Sequence, residues 1–410
     1  MTVPSVVERL ATLNPETEIW WDSSPLVFRD FKARMLQDAD AARRAGLEQQ
    51  LTRLFNEDDP ASSLVCGATT NPPLSLQAIE RRPDLFEPFL VGLSQGLPYA
   101  DAEVLWWRTY LELVRLGSAA ILPIWERSNH RLGYLSAQVD PRFVRNEEVM
   151  SKHALELAAQ NPNVMIKCPG TREGIRLIRR LTAKGIATNC TLCFILPQMV
   201  DVMDAVQSGL AEAKANGVSL DHWRSVITQM SARYEDRHAF DESAADEGIT
   251  LTVEDKRWAS VAIFRKAYQV ARRRGYPGKL LFCSIRRGPV VNGRERMWHI
   301  EKIAGGSMVY TLPPACLRDL WELDANLEFQ PLIEEEVPRT VLEKLLRVPY
   351  FAEAYQEEMD AGRYSSLAPM VFTENEFSDA TTRTIEYVRS RVAEARAGSR
   401  PDEDHEGSHA

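Results

Sequence analysis

The chain has 410 residues, 44% of them hydrophobic and 8% aromatic, enough to bury either one large α/β core or two ordinary ones. Its formal net charge of −9 argues against nucleic acid as a partner, because phosphate-backbone contact needs a dense lysine and arginine face, but a small anion needs only a few local arginines. No stretch approaches about 18 uninterrupted apolar residues, and "MTVPSVVERLATLN" carries charges where a signal peptide needs an apolar segment, so no membrane partner is expected and the reading is cytoplasmic.

Taken in chain order, eight short β-like runs alternate with helical patterns. They are "EIWWD" (18–22), "LVCGATTN" (64–71), "LGYLSAQVD" (132–140), "NVMIKCP" (163–169), "IATNCTLCF" (186–194), "SVITQMSA" (225–232), "KLLFCSI" (279–285) and "MVYTLP" (308–313). After the fourth run Thr171 can cap a helix, Ile175, Leu177, Ile178 and Leu181 give it an apolar stripe, and Gly185 can end it. Strand, helix and strand then fit within about thirty residues, the length of a βαβ unit. Eight such alternations point to a (β/α)8 barrel, although a doubly wound open sheet gives a similar pattern.

Three intervals, 23–63, 72–131 and 233–278, are longer than one crossover helix requires and read as extra helices, the last two shaping a larger pocket or forming a subunit interface, with a homodimer as the expected partner state. Residues 315–395 are helix-rich, and "EFSDATTRTIEYVRSRVAEARA" can cover one mouth of a barrel. The expected organisation is one barrel over 1–395 and a disordered polar tail over 396–410, whose His405 and His409 are solvated. The six cysteines are scattered in apolar runs, which reads as reduced thiols. Cys190 and Cys193 form a CxxC, but on a regular strand they point to opposite faces and no second pair accompanies them. His130, His153, His222, His238 and His299 lack ligand spacing and receive no role.

Polar residues recur at the ends of the apolar strands: Asp22, Asn71, Gln138, Lys167, Thr191, Arg233, Ser284 and Arg286. In a parallel barrel all strand C-termini share one face, so these would converge on a site for a carbonyl and a phosphate. A polar residue at a strand end is also what any chain leaving a core shows. Lys167 stands apart because Met165, Ile166 and Cys168 surround it. Burial without a partner lowers a lysine's pKa, and a neutral lysine is a nucleophile.

"GATTNPPL" (67–74) and "NVMIKCPGTREGIRLIRRLTAKGIATNCTLCF" (163–194) resemble the motifs of the transaldolase family, class I aldolases that form a Schiff base on a (β/α)8 TIM barrel. "IWWD", "LSAQVD", "ITQMSAR", "FCSIR" and "YTLPP" extend the resemblance over residues 19–314 in the family order. It implies that Lys167 attacks the ketone carbon of a sugar phosphate and that Asp22 exchanges a proton with the C4 hydroxyl. It also implies that Asn71 binds substrate hydroxyls, that Thr191 holds the catalytic water, and that Arg233, Arg286 and Ser284 bind phosphate. No metal or organic cofactor is implied, since the lysine supplies the electron sink.

Two positions depart from the family pattern. Transaldolases carry a glutamate on the third strand where this chain has Gln138, as fructose-6-phosphate aldolases do. An amide can position a water but cannot take its proton, which moves the expectation toward simple aldol cleavage or addition as the alternative to transfer of a dihydroxyacetone unit, with a non-catalytic sugar-phosphate-binding barrel as a third reading. Thr228 and Met230 fall where transaldolases show a serine and a phenylalanine, so the substrate pocket is altered.

Overall fold

The computed structural model describes residues 3–398. Eight parallel strands close a barrel: β1 (Glu18–Trp21), β2 (Val65–Thr69), β3 (Tyr134–Gln138), β4 (Val164–Pro169), β5 (Thr188–Cys193), β6 (Ser225–Met230), β7 (Lys279–Cys283) and β8 (Val309–Leu312). Neighbours in sequence are neighbours in the sheet, and β8 pairs with β1 to complete the ring, which excludes the open sheet. Each strand lies inside its expected run and is trimmed where the chain turns out of the sheet. Nearly every strand residue is buried, as expected for strands covered by helices outside and filled by side chains inside.

The unit around β4 forms for the reasons its sequence gives. Thr171 Oγ1 accepts from the Gly174 backbone N–H at 3.1 Å and donates to the Val144 carbonyl at 2.8 Å. The helix Arg172–Thr182 buries Ile175, Leu177, Ile178 and Leu181, and Gly185 follows it at a φ of +72°. The register Gln138–Lys167 between β3 and β4, and Lys167–Asn189 between β4 and β5, sets these three residues at one level of the barrel.

One expectation fails on β5. The strand shifts register between Cys190 and Cys193, with Leu192 at a φ of +51°. This bulge breaks the alternation of a regular strand, and the two thiols lie close enough that Cys190 pushes up the pKa of Cys193, which burial raises most. All six cysteines are buried and unpaired.

The long intervals are helical and pack into the same hydrophobic core, for example Phe28–Asp38, Ala102–Arg127 and Val253–Arg273. An unforeseen two-stranded hairpin, Val290–Val291 with Arg294–Glu295, follows β7. The C-terminal helix begins at Ala368, earlier than expected, and runs to Gly398 across the helices Pro72–Arg81, Pro83–Gly96 and Ala102–Arg127. It therefore includes residues 396–398, and the rest of the expected tail lies outside the described residues. Among the described residues no helix is long and apolar enough to cross a membrane.

At the N-terminal mouth, buried Glu18 pairs with Arg224 at 2.5 Å and Lys279 at 2.8 Å. The polar strand ends gather at the opposite mouth.

Candidate active site

Lys167 projects from β4 into a cavity of about 250 Å³. Its Nζ donates to the Thr70 carbonyl at 2.9 Å, and only 5% of the residue is exposed. Burial pushes its pKa below the ordinary lysine value, while the charge of Asp22 opposes the shift. A backbone carbonyl accepts a hydrogen bond from either form of the amine, so it orients the nitrogen without consuming its lone pair.

Asp22 follows β1 and lines the same cavity. Its carboxyl pKa is raised by burial against the lowering charges of Lys167 and Arg233 and a bond from Thr69. Thr69 Oγ1 donates to Asp22 Oδ1 at 2.7 Å and lies 2.6 Å from Thr311 Oγ1. An amine whose pKa burial lowers and a carboxyl whose pKa burial raises thus share one enclosure.

The other predicted residues divide into two groups. Asn71, Thr191, Thr228, Met230, Arg233 and Ser284 line the Lys167 cavity, as do Cys283, whose thiol is pushed up to about 12 by burial, and Glu376. Asn71 caps the helix Pro72–Arg81, its Oδ1 accepting from the Leu74 N–H at 3.0 Å. Thr228 Oγ1 donates to Asn189 Oδ1 at 2.7 Å, and Asn189 Nδ2 donates to Ser136 Oγ at 3.0 Å, a polar belt across three strands. Thr191 Oγ1 lies 3.8 Å from Met230 Sδ. Ser284 stands at a φ of +58°, a strained backbone for a side chain with a Cβ.

Gln138 and Arg286 do not line that cavity. Gln138 stands level with Lys167 but borders a separate pocket of about 20 Å³ with Trp106, Tyr110 and Thr381. Its backbone N–H donates to the Tyr110 hydroxyl, which donates back to the Gln138 carbonyl, both at 2.9 Å. Its buried side-chain Oε1 has no partner among the described residues. The side chain of Arg286 is half exposed and pairs with Asp236 at 3.2 Å. Behind it, buried His299, which received no role from sequence, accepts the Arg286 backbone N–H at Nδ1 (3.1 Å) and meets Glu235 Oε2 through Nε2 (2.9 Å).

Arg233, on the short helix Ser231–Glu235, is already engaged. Its Nη1 and Nη2 donate to the two oxygens of Glu376 at 2.7 and 2.8 Å, a parallel fork from the barrel to the C-terminal helix. Sequence reasoning missed Glu376 because its partner lies 143 positions away. It also missed Thr69 and Thr311, although both are hydroxyls at strand ends, the signal that found Thr191.

Residues 47–362, more than half of the chain, match the family described as Transaldolase/Fructose-6-phosphate aldolase. "Transaldolase 1" of Streptomyces avermitilis is 30% identical over 272 residues, covering 66% of this chain and 65% of that protein. A "Transaldolase" of Thiobacillus denitrificans is 29% identical over 287 residues, 66% of this chain and 77% of that protein. A third, from Saccharopolyspora erythraea, is 34% identical over 175 residues, 41% of this chain and 45% of that protein. The chain thus spans from under half to about three quarters of the length of these relatives.

Proposed function

Because the chain belongs to the transaldolase/fructose-6-phosphate aldolase family, we propose that it moves a dihydroxyacetone unit from a ketose phosphate to an aldehyde acceptor through a Schiff base on Lys167. The observation that carries this reading is the buried Lys167 amine, pushed below the ordinary lysine pKa in a cavity it shares with Asp22. The neutral Nζ adds to the ketone carbon, and loss of water leaves an iminium. Asp22 takes the proton of the C4 hydroxyl, the C3–C4 bond breaks, and its electron pair enters the iminium to give an enamine while the aldehyde departs. Addition of the enamine to a second aldehyde reverses these steps, Asp22 returns the proton, and water frees the lysine.

The cavity wall supports this division of labour. Asn71 offers donors for the hydroxyls of the bound three-carbon unit, Thr191 a hydroxyl for a water at the imine, and Arg233 with Ser284 the anion end. Arg286 would serve that end from outside the cavity. Thr228 and Met230 shape the wall beside them.

A second reading rests on Gln138. An amide at the level of Lys167 cannot exchange a proton with water as a carboxylate does, which favours an aldolase that protonates the enamine and releases dihydroxyacetone.

Incubation with fructose 6-phosphate, borohydride reduction and peptide mass analysis test the shared step. A reduced adduct on Lys167 is expected, and its absence, where an authentic transaldolase gives one, would overturn both readings for that donor. Erythrose 4-phosphate then separates transfer from release of free dihydroxyacetone.

A further inference from the structure

We propose that Glu376 is an internal competitor for the anion-binding arginine of the Lys167 cavity, so that a substrate phosphoryl group must displace this carboxylate from Arg233. The proposal rests on the sugar-phosphate reading above.

Arg233 already presents its Nη1–Nη2 fork to Glu376, with two parallel bonds of 2.7 and 2.8 Å, and that fork is the edge that suits a phosphate. A phosphate that takes this Nη1–Nη2 edge displaces the carboxylate from it. Glu376 is a wall residue of the cavity itself and belongs to a different element, the helix Ala368–Gly398. Its carboxyl pKa is lowered, first by the bond to Arg233 against burial and further by the charges of Arg233, Arg237 and Arg383, so it is a carboxylate at neutral pH.

The carboxylate also has somewhere to go. The Glu376 side chain is 37% exposed against 20% for Arg233, so rotation about its own bonds carries it to solvent with the helix in place. The helix has a separate tie two residues earlier, where Glu374 bonds Arg145 at 2.5 and 2.8 Å away from the cavity. Release of Glu376 leaves Arg233 facing the cavity with Arg237 in electrostatic reach of the vacated place. Arg237 stacks 3.6 Å from the Phe372 ring centroid, and its buried Nε has no hydrogen-bond partner among the described residues. A site whose binding-competent state is held back in this way shows an affinity reduced by the fraction that is open.

Calorimetric titration of inorganic phosphate into the full chain tests this without turnover. Glu376→Gln keeps the shape of the side chain and removes its charge, and is expected to bind phosphate about tenfold more tightly than the wild type. Glu376→Ala should do the same. Glu374→Gln removes the neighbouring helix tie without touching Arg233 and is expected to stay within about twofold of the wild type. Adding Arg233→Ala to Glu376→Gln should erase the gain. Unchanged or weaker phosphate binding in both Glu376 variants, or an equal gain in Glu374→Gln, would overturn the proposal. A borohydride adduct on Lys167 with unchanged phosphate binding refutes the competition alone. Tighter phosphate binding with no adduct refutes the Schiff-base reading alone.

Discussion

Thr69 gives its only hydroxyl proton to Asp22 Oδ1 at 2.7 Å, so the Thr311 hydroxyl 2.6 Å away must donate to Thr69 in turn. This two-step relay stabilises the ionised carboxylate, opposing the burial that raises its pKa. Thr69→Val keeps the volume and removes the relay. The Asp22 pKa should then rise further, and the acid limb of the kcat/KM against pH profile should move up by about one unit. In the wild type that limb should already lie above the ordinary aspartate range, because activity needs the deprotonated carboxylate and is lost as pH falls through its raised pKa. A limb that stays in place in the variant would show that Asp22 is not the proton acceptor.

Much of this arrangement is legible in sequence because a barrel turns strand order into position. Lys167, Asp22, Thr191 and Asn71 sit at the C-terminal ends of buried strands, so naming the ends names the neighbours. What is not legible depends on contacts that strand order does not encode. Arg286 ends in the same way as Arg233 in sequence, but its side chain leaves the barrel to meet Asp236. Glu376 enters from a helix after the last strand, and no periodicity reports which carboxylate of that helix faces inward. The proximity of Cys190 and Cys193 depends on a single bulge at Leu192, where the period of two that underlies any strand reading is broken.

Gln138→Glu is expected to raise transfer relative to release of dihydroxyacetone, because a carboxylate level with Lys167, once turned from its small neighbouring pocket toward the Lys167 cavity, can exchange a proton with a water near the imine. The substitution has a cost set by the site. The Gln138 Oε1 position is buried with no donor facing it among the described residues, so a carboxylate there should destabilise the fold by about 1–3 kcal/mol, most strongly at high pH where it is ionised. The ratio of sedoheptulose 7-phosphate formed to dihydroxyacetone released measures the first effect, and urea unfolding at two pH values the second. No change in the product ratio would move attention to Met230.

The two arginines should separate kinetically. Arg233→Ala removes the guanidinium that lines the cavity and should raise KM for a phosphorylated ketose by about tenfold or more, the loss of one bidentate charge-assisted contact. Arg286→Ala removes a half-exposed side chain already paired with Asp236 and should raise KM by only about two- to fivefold. Equal effects would mean that Arg286 swings inward when substrate binds.

At the far mouth, Glu18 offers a stability test that leaves the chemistry alone. Its carboxylate is buried yet has a lowered pKa: burial raises it, but the charges of Arg224 and Lys279 and their hydrogen bonds outweigh that. Trp20 Nε1 adds a bond to Oε2 at 2.9 Å. Glu18→Gln would leave two cations facing each other in a shielded place, a loss of about 3–5 kcal/mol at pH 7. Because the folded-state pKa lies below the unfolded one, the stabilisation is present in full above the unfolded pKa and fades as pH falls through the folded value. Wild type and variant should therefore converge in urea midpoint as the solution is acidified, while kcat/KM of the folded variant stays near that of the wild type. A gap that persists at low pH would show that Glu18 acts through packing and not through its charge.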